Sequence, residues 1–324
     1  MNQGTDIEQA AAALQAGLLV AIPTETVYGL AAHALDPDAV LGIFKAKNRP
    51  TFNPLIIHVA SVEQAARYVA DFPALAQALA AACWPGPLTL LLPKKPVVPD
   101  LVTAGSDRVA IRVPDHPLTL ALLERLDFPL AAPSANLFGY ISPTDAQHVQ
   151  AQLGDKIAYL LDGGPAKIGI ESTIVGFDAA ARPVIYPQGR TSQEAIEAIT
   201  GPAGILTRAD RPDQPHSPGM LKSHYAPRTP LITGDIEALI RLHSEKKLGI
   251  LAFQHPYDGV PPAQQRCLSP SGKLDEAAKN LFAALHQIDA LGLDLILAEK
   301  VPDTGLGRAI NDRIERARFA HKAE

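Results

Sequence analysis

Short apolar runs alternate with helix-period segments over roughly the first 191 residues, and this order restricts the fold more than any other feature of the sequence. Because most of the runs are almost continuously apolar, they predict strands that are covered on both faces. Residues 173–177 and 184–186 follow each other without a helix between them, which predicts some antiparallel pairing. The sequence therefore predicts an α/β domain with a mixed, twisted sheet. The predicted strands are residues 18–22, 55–59, 88–92, 109–113, 130–132, 158–161, 173–177 and 184–186. The predicted helices are residues 6–16, 38–47, 62–70, 73–83, 117–126 and 145–153.

The pattern changes at residue 201. Residues 201–230 are rich in proline and show no period, which is typical of a linker with extended segments. Periodicity then returns and predicts a small Rossmann-like βαβαβ domain, followed by a helix near residues 307–320. Its predicted elements are residues 231–233, 235–247, 248–253, 273–291 and 294–298. We expect a first domain over residues 1–200, a linker or lid over 201–230 and a second α/β domain over 231–324.

Charge and cysteine content exclude several classes of protein. The net charge of −5 over 324 residues argues against a broad basic surface, so contact with RNA is expected to be transient at most. The only cysteines, Cys83 and Cys267, lie far apart, which excludes a zinc knuckle, a redox pair or a secreted disulfide framework and favours the cytoplasm. Residues 72–93 carry no charge, but their prolines predict a helix, a turn and a strand rather than a membrane span.

Standard catalytic signatures are absent from the sequence. It contains no GxxxxGK[ST] phosphate loop, no strand-linked GxGxxG, no HExxH and no GxSxG. The ten histidines show no metal-ligand spacing, and no side chain is assigned to a metal. Kinases, dehydrogenases and metallohydrolases with these motifs are therefore disfavoured.

Polar clusters at the ends of predicted strands are the candidate site, because ligands of open α/β sheets bind there. The first cluster, residues 23–30, offers hydroxyls including that of Thr26, and could equally be a capped turn. The second holds Lys45, Lys47 and Arg49, which suit a phosphate clamp or, alternatively, a solvated helix end. His58, in the strand that follows, could be a core histidine.

Three further clusters complete the set. Arg108 and Arg112 share one face of a predicted strand, and a buried arginine there needs an anionic partner, either a structural carboxylate or a substrate. Residues 131–136 offer Ser134 and Asn136, and residues 169–175 and 187–190 add hydroxyls and Arg190. Cations and hydroxyls with few carboxylates together suggest a site for an anionic nucleotide.

Five motifs in this order, PTETVYGL, KAKNRPTFNPLIIHV, RVAIRVP, APSAN and GIESTIV, resemble the YrdC domain of threonylcarbamoyl-AMP synthases. The segment SPGMLKSHYAP and the α/β tail are similar to the long form of that family. The resemblance covers nearly the whole chain and implies a YrdC-like first domain. The lysine-x-arginine and serine-x-asparagine signature of the family falls on Lys47, Arg49, Ser134 and Asn136, which the resemblance assigns to catalysis.

The resemblance implies condensation of L-threonine, bicarbonate and ATP to threonylcarbamoyl-AMP and pyrophosphate, with Mg²⁺ accompanying ATP. The product would serve threonylcarbamoyladenosine formation in tRNA, with a downstream tRNA threonylcarbamoyl transferase as partner. The residues implied to surround threonine are Thr26, His58, Arg112 and Ser172. The residues implied on the ATP side are Lys47, Arg49, Asn53, Ser134, Asn136, Ser142, Arg190 and Tyr225, the last of them covering the nucleotide.

Two other functions are compatible with a YrdC-type domain. Hydrogenase-maturation carbamoyltransferases carry a related domain, but their cysteine-rich zinc modules are incompatible with two distant cysteines. An RNA-binding module of the YrdC type is the other alternative. Residues 1–191 contain 13 Lys and Arg against 17 Asp and Glu, a net of −4, which does not favour it.

Overall fold

The computed structural model describes residues 2–186, 188–206 and 224–319 and divides into two compact units. The first unit takes the described residues of Met1–Phe138, Pro143–Ala166 and Glu171–Leu221. The second takes those of Gly139–Ser142, Lys167–Ile170 and Lys222–Glu324. Residues 207–223 of the predicted linker lie outside the described residues. Pro187, in the first unit, also lies outside them.

The first unit is built on an eleven-stranded mixed sheet. Its strands are β1 (Asn2–Gly4), β2 (Val20–Ile22), β3 (Gly29–His33), β4 (Ile56–His58), β5 (Leu88–Pro93), β6 (Arg108–Arg112), β7 (Leu130–Ala131), β8 (Tyr159–Leu161), β9 (Thr173–Phe177), β10 (Pro183–Ile185) and β11 (Gly204–Ile205). Their order across the sheet is β1-β8-β2-β3-β7-β4-β6-β5-β9-β10-β11. The pairs β4/β6 and β5/β9 are parallel, whereas β5/β6 and β9/β10 are antiparallel. The mixed sheet expected from the sequence is confirmed.

Eight helices accompany this sheet in the described residues of the first unit. They are α1 (Ile7–Gln15), α2 (Pro37–Lys47), α3 (Val62–Ala65), α4 (Ala74–Cys83), α5 (Asp100–Thr103), α6 (Pro117–Arg125), α7 (Ala146–Leu153) and α8 (Gln193–Thr200). Side chains define several starts: the Asp36 carboxylate accepts from the backbone N–H groups of Asp38 and Ala39, ahead of Pro37 at the first helical position. Asn48 in the left-handed region, with φ 53°, ends α2.

Strand β3 was missed because its sequence, GLAAH, continues the polar PTETVYGL motif and reads as part of a turn. Helix α8 and strand β11 were also missed. Both residues of β11 are exposed, so no apolar run marks it, yet Val184 and Ile185 pair with Gly204 and Ile205. Residues 204–205, which the sequence places in the linker, thus pair with β10 in the sheet of the first unit.

The second unit contains a four-stranded, fully parallel sheet. Its strands are β12 (Leu231–Thr233), β13 (Leu248–Ala252), β14 (Gln265–Cys267) and β15 (Leu295–Ala298), in the order β12-β15-β13-β14. Its helices are α9 (Ile236–Leu242), α10 (Leu274–Asp289) and α11 (Leu306–Phe319). The predicted βαβαβ order is present, with β14 as an additional strand. No helix in the described ranges is long and apolar enough to cross a bilayer.

Leu90 on β5 tests how far the central strands stabilise the first unit. Its side chain is 0% exposed, so Leu90→Ala removes fully buried atoms and should destabilise the protein by about 2–5 kcal/mol. Leu18→Ala is the matched control, because Leu18 is 50% exposed. Urea denaturation followed by circular dichroism measures both; equal effects would contradict the packing described for β5.

Candidate active site

The end of helix α2 carries the first part of the site. Lys47 is the last residue of α2 and is 1% exposed. Its Nζ donates to the backbone carbonyls of Ser134 and Asn136, each at 2.5 Å. Burial, and secondarily the charge of Arg49, lowers the pKa of Lys47 well below its ordinary value. The lysine thus joins two motifs that are far apart in the sequence.

Arg49 is also buried, at 8% exposure. Its Nε donates to the carbonyl of Asn53 at 3.2 Å and its Nη2 to that of Pro54 at 2.8 Å. Only Lys45, which is exposed, matches the solvated helix end that the sequence left as an alternative. Lys47 and Arg49 are instead packed inside the unit, where each donates hydrogen bonds to backbone carbonyls.

Asn53 follows directly and is 1% exposed, with neither side-chain amide atom hydrogen-bonded. A buried amide without partners is costly, and such groups in native proteins call for an explanation. A bound polar ligand would supply the missing partners. This is the role that the sequence predicts for Asn53.

Backbone hydrogen bonds hold the first and fourth motifs side by side. The N–H of Leu30 donates to the carbonyl of Pro133 at 2.7 Å, and the N–H of Ala135 donates to that of Tyr28 at 2.8 Å. Gly29 approaches this segment closely, since a Cβ there would lie 3.3 Å from the Ala132 Cβ. The PTETVYGL and APSAN segments therefore form one surface.

Arg112 on β6 is the third buried basic residue of the candidate site, at 4% exposure. Its Nη2 lies 2.5 Å from Glu25 Oε1, its Nη1 donates to Thr26 Oγ1 at 3.1 Å, and its Nε donates to the Gly86 carbonyl at 3.0 Å. An arginine has five N–H donors. With three used, two remain for a ligand.

Glu25 is the functional residue that the sequence analysis missed. It is 2% exposed, and its Oε2 has no hydrogen-bond partner. The sequence leaves open whether Arg112 pairs with a structural carboxylate or with a substrate, and the structural carboxylate is Glu25. The signal was present, because Glu25 is the only carboxylate in a motif otherwise made of hydroxyl and apolar residues.

His58 on β4 lies directly across the strand pair from Arg112. It is 3% exposed, and its Nδ1 has no partner. Burial first, and the charge of Arg112 second, lower the pKa of His58 to about 3. The imidazole is therefore neutral at neutral pH and can donate or accept a hydrogen bond beside the arginine.

Ser172 precedes β9 and lies next to β5, where its Oγ contacts Thr89 Oγ1 at 2.7 Å. The turn that carries Arg190 packs on the same segment. A Cβ on Gly189 would lie 2.3 Å from the Glu171 carbonyl oxygen, so only glycine fits there. The N–H of Arg190 donates to that carbonyl at 3.0 Å, which brings the fifth cluster together.

Two of the predicted ATP-site residues belong to the second unit. Ser142 is fully buried there, and its backbone carbonyl lies 3.1 Å from His286 Nε2. Tyr225, with φ 66°, is 4% exposed and packs on Phe282 at 5.2 Å between ring centroids, with the Arg313 guanidinium 5.6 Å from its ring. Their contact with a nucleotide stays a prediction.

The donor set of the first unit bears on magnesium. Across residues 2–186, 188–206 and 224–319, no group of three or more His, Cys, Asp or Glu side chains could hold a metal ion. Lys47, Arg49, Ser134 and Asn136 supply cations, a hydroxyl and an amide. This set fits a metal that reaches the site on the phosphates of a nucleotide, with oxygen ligands from phosphate and water.

Comparison with known proteins identifies the family. A family model described as telomere recombination, covering Sua5, YciO and YrdC proteins, matches residues 12–189. A second model, the C-terminal domain of threonylcarbamoyl-AMP synthase, matches residues 191–318. Threonylcarbamoyl-AMP synthase of Bacillus subtilis is 42% identical over 320 residues, which cover 96% of this chain and 92% of that protein. The chain belongs to the threonylcarbamoyl-AMP synthase family.

A second relative and a solved structure are similar to this chain over both units. Threonylcarbamoyl-AMP synthase of Pyrococcus abyssi is 42% identical over 324 residues, 96% of this chain and 93% of that protein. The crystal structure of the Pyrococcus abyssi Sua5 complexed with L-threonine has a TM-score of 0.91 and 41% identity, and covers 98% of this chain and 97% of its own. The two family models and this structural match together extend over both units, which confirms the two-domain architecture that the resemblance implies.

The lowered pKa of His58 predicts acid sensitivity. The folded state holds this histidine neutral down to about pH 3, whereas the unfolded chain takes up a proton near pH 6.5, so stability falls as the pH drops between these values. The contribution at pH 5 is about 2 kcal/mol. Comparing the free energy of unfolding of His58→Asn and the parent at pH 7 and pH 5 measures it, with exposed His255→Asn as control. An equal pH dependence in parent and His58→Asn would contradict the assignment.

Proposed function

We propose that this chain is an L-threonylcarbamoyladenylate synthase, which condenses L-threonine, bicarbonate and ATP to threonylcarbamoyl-AMP and pyrophosphate. Support comes from membership of the threonylcarbamoyl-AMP synthase family across nearly the whole chain and from the name shared by its relatives. The Pyrococcus abyssi relative was crystallised with L-threonine, one of the three substrates. The product would serve threonylcarbamoyladenosine modification of tRNA next to the anticodon.

The observation that carries the proposal is the environment of Arg112. Its guanidinium is buried, fixed at three points and left with two free donors. Two N–H donors on one guanidinium suit a carboxylate such as that of threonine, and burial makes the interaction strong. Thr26 accepts a hydrogen bond from Arg112, and His58 lies opposite Arg112 on the neighbouring strand. Both supply neutral polar groups for the rest of a small amino acid.

The reaction we propose has two steps. The amine of threonine attacks the carbon of bicarbonate to form a carbamate, with release of water. A carbamate oxygen then attacks the α-phosphorus of ATP; the bond between the α-phosphorus and its bridging oxygen breaks, and pyrophosphate leaves. The protein's part is to position the reactants and to stabilise phosphate charge, for which Lys47 and Arg49 are placed as buried cations.

Lys47 is suited to this role by its surroundings. Burial lowers its pKa in the absence of an anion, and a neighbouring phosphate would favour the charged form again. Asn53, Ser134, Asn136 and Arg190 complete the proposed ATP side. Mg²⁺ would enter with ATP and neutralise phosphate charge.

The wider assignments remain proposals that rest on the family. The downstream partner is a tRNA threonylcarbamoyl transferase, direct contact with tRNA is transient at most, and the compartment is the cytoplasm. A YrdC-type RNA-binding module without synthesis is the alternative, and the net charge of −4 over residues 1–191 does not favour it.

The deciding experiment is threonine-dependent release of pyrophosphate from ATP in bicarbonate buffer. We expect release with L-threonine and none when threonine or bicarbonate is omitted. RNA binding without any such release would contradict the proposed synthase and support the alternative.

Arg112→Ala should raise the KM for threonine by about 10- to 150-fold while changing the KM for ATP little, because it removes a charge-assisted bond to a carboxylate. Arg108→Ala is the matched control on the same strand, where Arg108 donates to the Phe177 carbonyl. Since Arg112→Ala leaves Glu25 buried and unpaired, the variant carrying Glu25→Gln and Arg112→Met is measured alongside. Equal changes in both KM values would place Arg112 outside the threonine pocket.

Lys47→Ala and Arg49→Ala should weaken ATP use and leave binding of free threonine intact, because both cations are assigned to the phosphates. Lys45→Ala, which alters an exposed neighbour on the same helix, is the control. Calorimetry with ATP and with threonine separates the two substrates. ATP binding at parental affinity in both variants would exclude the phosphate clamp.

A further inference from the structure

The second unit contains a cavity of 680 Å³ at the carboxyl ends of its parallel strands. One wall is residues 254–259, which follow β13, and another is formed by side chains of α9. Glu299, the first residue after β15, also lines it. The volume lies within the roughly 300–1,000 Å³ of small-molecule sites. None of these residues belongs to the site proposed for ATP and threonine.

The cavity lies beyond the ends of β13 and β15, from which the chain continues to opposite faces of the sheet. Tyr257 and Val260, after β13, join the apolar cluster of α9 and pack with Ile250 of β13. Helix α11, which follows β15, packs instead against α10. Helix α10 covers the other face of β13, because a Cβ on Gly249 would meet Ile288 at 2.8 Å. Strands β13 and β15 therefore flank a topological switch point, where open α/β sheets bind ligands.

The wall after β13 is held in place by Gln265, which is 7% exposed. Its Oε1 accepts from the Tyr257 N–H at 2.8 Å, and its Nε2 donates to the carbonyls of Tyr257 and Val260 at 2.8 and 2.7 Å. Glu299 Oε2 accepts from the N–H of Phe253 at 2.6 Å. The cavity is thus preformed rather than lined by loosely held chain, which lowers the entropic cost of binding.

Carboxylates outnumber cations around the cavity. The lining contains three carboxylates, those of Glu237, Asp258 and Glu299, together with the Arg241 guanidinium and the His255 imidazole. Arg241 lies 4.0 Å from Glu237, with both side chains 72% exposed, so this pair contributes little. Burial, then the charge of Glu299 and a side-chain hydrogen bond to it, and lastly the charges of Glu237 and Asp235, raise the pKa of Tyr257 to about 12. Several carboxylates therefore act on one phenol at the cavity wall.

Phosphate-bearing ligands do not suit this charge. The cavity wall contains no lysine. Asp235 caps the start of α9, where its carboxylate accepts from the Ala238 N–H at 3.0 Å. Apolar surface is nevertheless present, since Ile240, Pro256 and the Tyr257 ring line the same space. The wall thus alternates negative charge with apolar patches.

We propose that this cavity binds a small organic polyamine. Ammonium groups would pair with Asp258 and Glu299, and the methylene segments between them would lie along Ile240 and the Tyr257 ring. Neutral or anionic compounds of the same length lack the charge that these carboxylates require. The cavity gives the second unit a ligand that differs in charge from ATP, so the two sites do not compete for the same molecule.

Calorimetric titration of the full-length protein with spermidine at about 0.15 M salt tests the proposal. We expect one saturable site, with Asp258→Asn and Glu299→Gln each weakening the affinity by about tenfold or more. Glu245→Gln, an exposed carboxylate of the same unit outside the cavity, should bind as the parent does. Threonine-dependent pyrophosphate release without spermidine should be unchanged in all three variants.

Three results would overturn the proposal. The first is an absence of saturable binding by the parent. The second is parental affinity in Asp258→Asn, a variant that removes no backbone hydrogen bond and so keeps the test valid even if Glu299→Gln is unstable. The third is an equal loss in Glu245→Gln, or displacement by Mg²⁺ at matched ionic strength, which would indicate diffuse attraction to an acidic surface.

Discussion

Burial of basic side chains in the first unit is the constraint on which the candidate site depends. Arg112 is retained inside the first unit because Glu25 is buried with it, and removing either partner would leave an uncompensated charge. Within the described part of the chain, Lys47 donates to the carbonyls of Ser134 and Asn136 and to no carboxylate. Burial lowers the pKa of Lys47, so a neighbouring anion would favour the charged form of this lysine.

The sequence predicted the sheet well where strands are continuously apolar and poorly where they are not. Residues 88–92 and 173–177 correspond closely to β5 and β9, because both are buried along their length. Strand β11, by contrast, is exposed and two residues long, and it is defined by its backbone pairing with β10. Such pairing depends on a partner distant in sequence and leaves no local pattern.

Candidate site residues could be placed at strand ends, but their partners could not. The alternation on β6 indicated that Arg112 needs an anion, yet nothing local identified Glu25 as that anion, because the two residues lie 87 positions apart. Likewise the run of cations near residue 47 did not reveal which of them is buried. The burial of Lys47 and the exposure of Lys45 follow from how α2 packs and not from helix propensity.

Three side-chain bonds of the site in the first unit span similar, long stretches of chain. Arg112 bonds Thr26 across 86 positions, Lys47 bonds the Ser134 carbonyl across 87, and Thr89 contacts Ser172 across 83. During synthesis, the first partner of each pair is therefore made more than eighty residues before the second. Because closing such long loops is entropically costly, the site forms late in folding and only with the sheet as a whole. Partly folded or truncated chains should carry no half-formed pocket able to trap ATP.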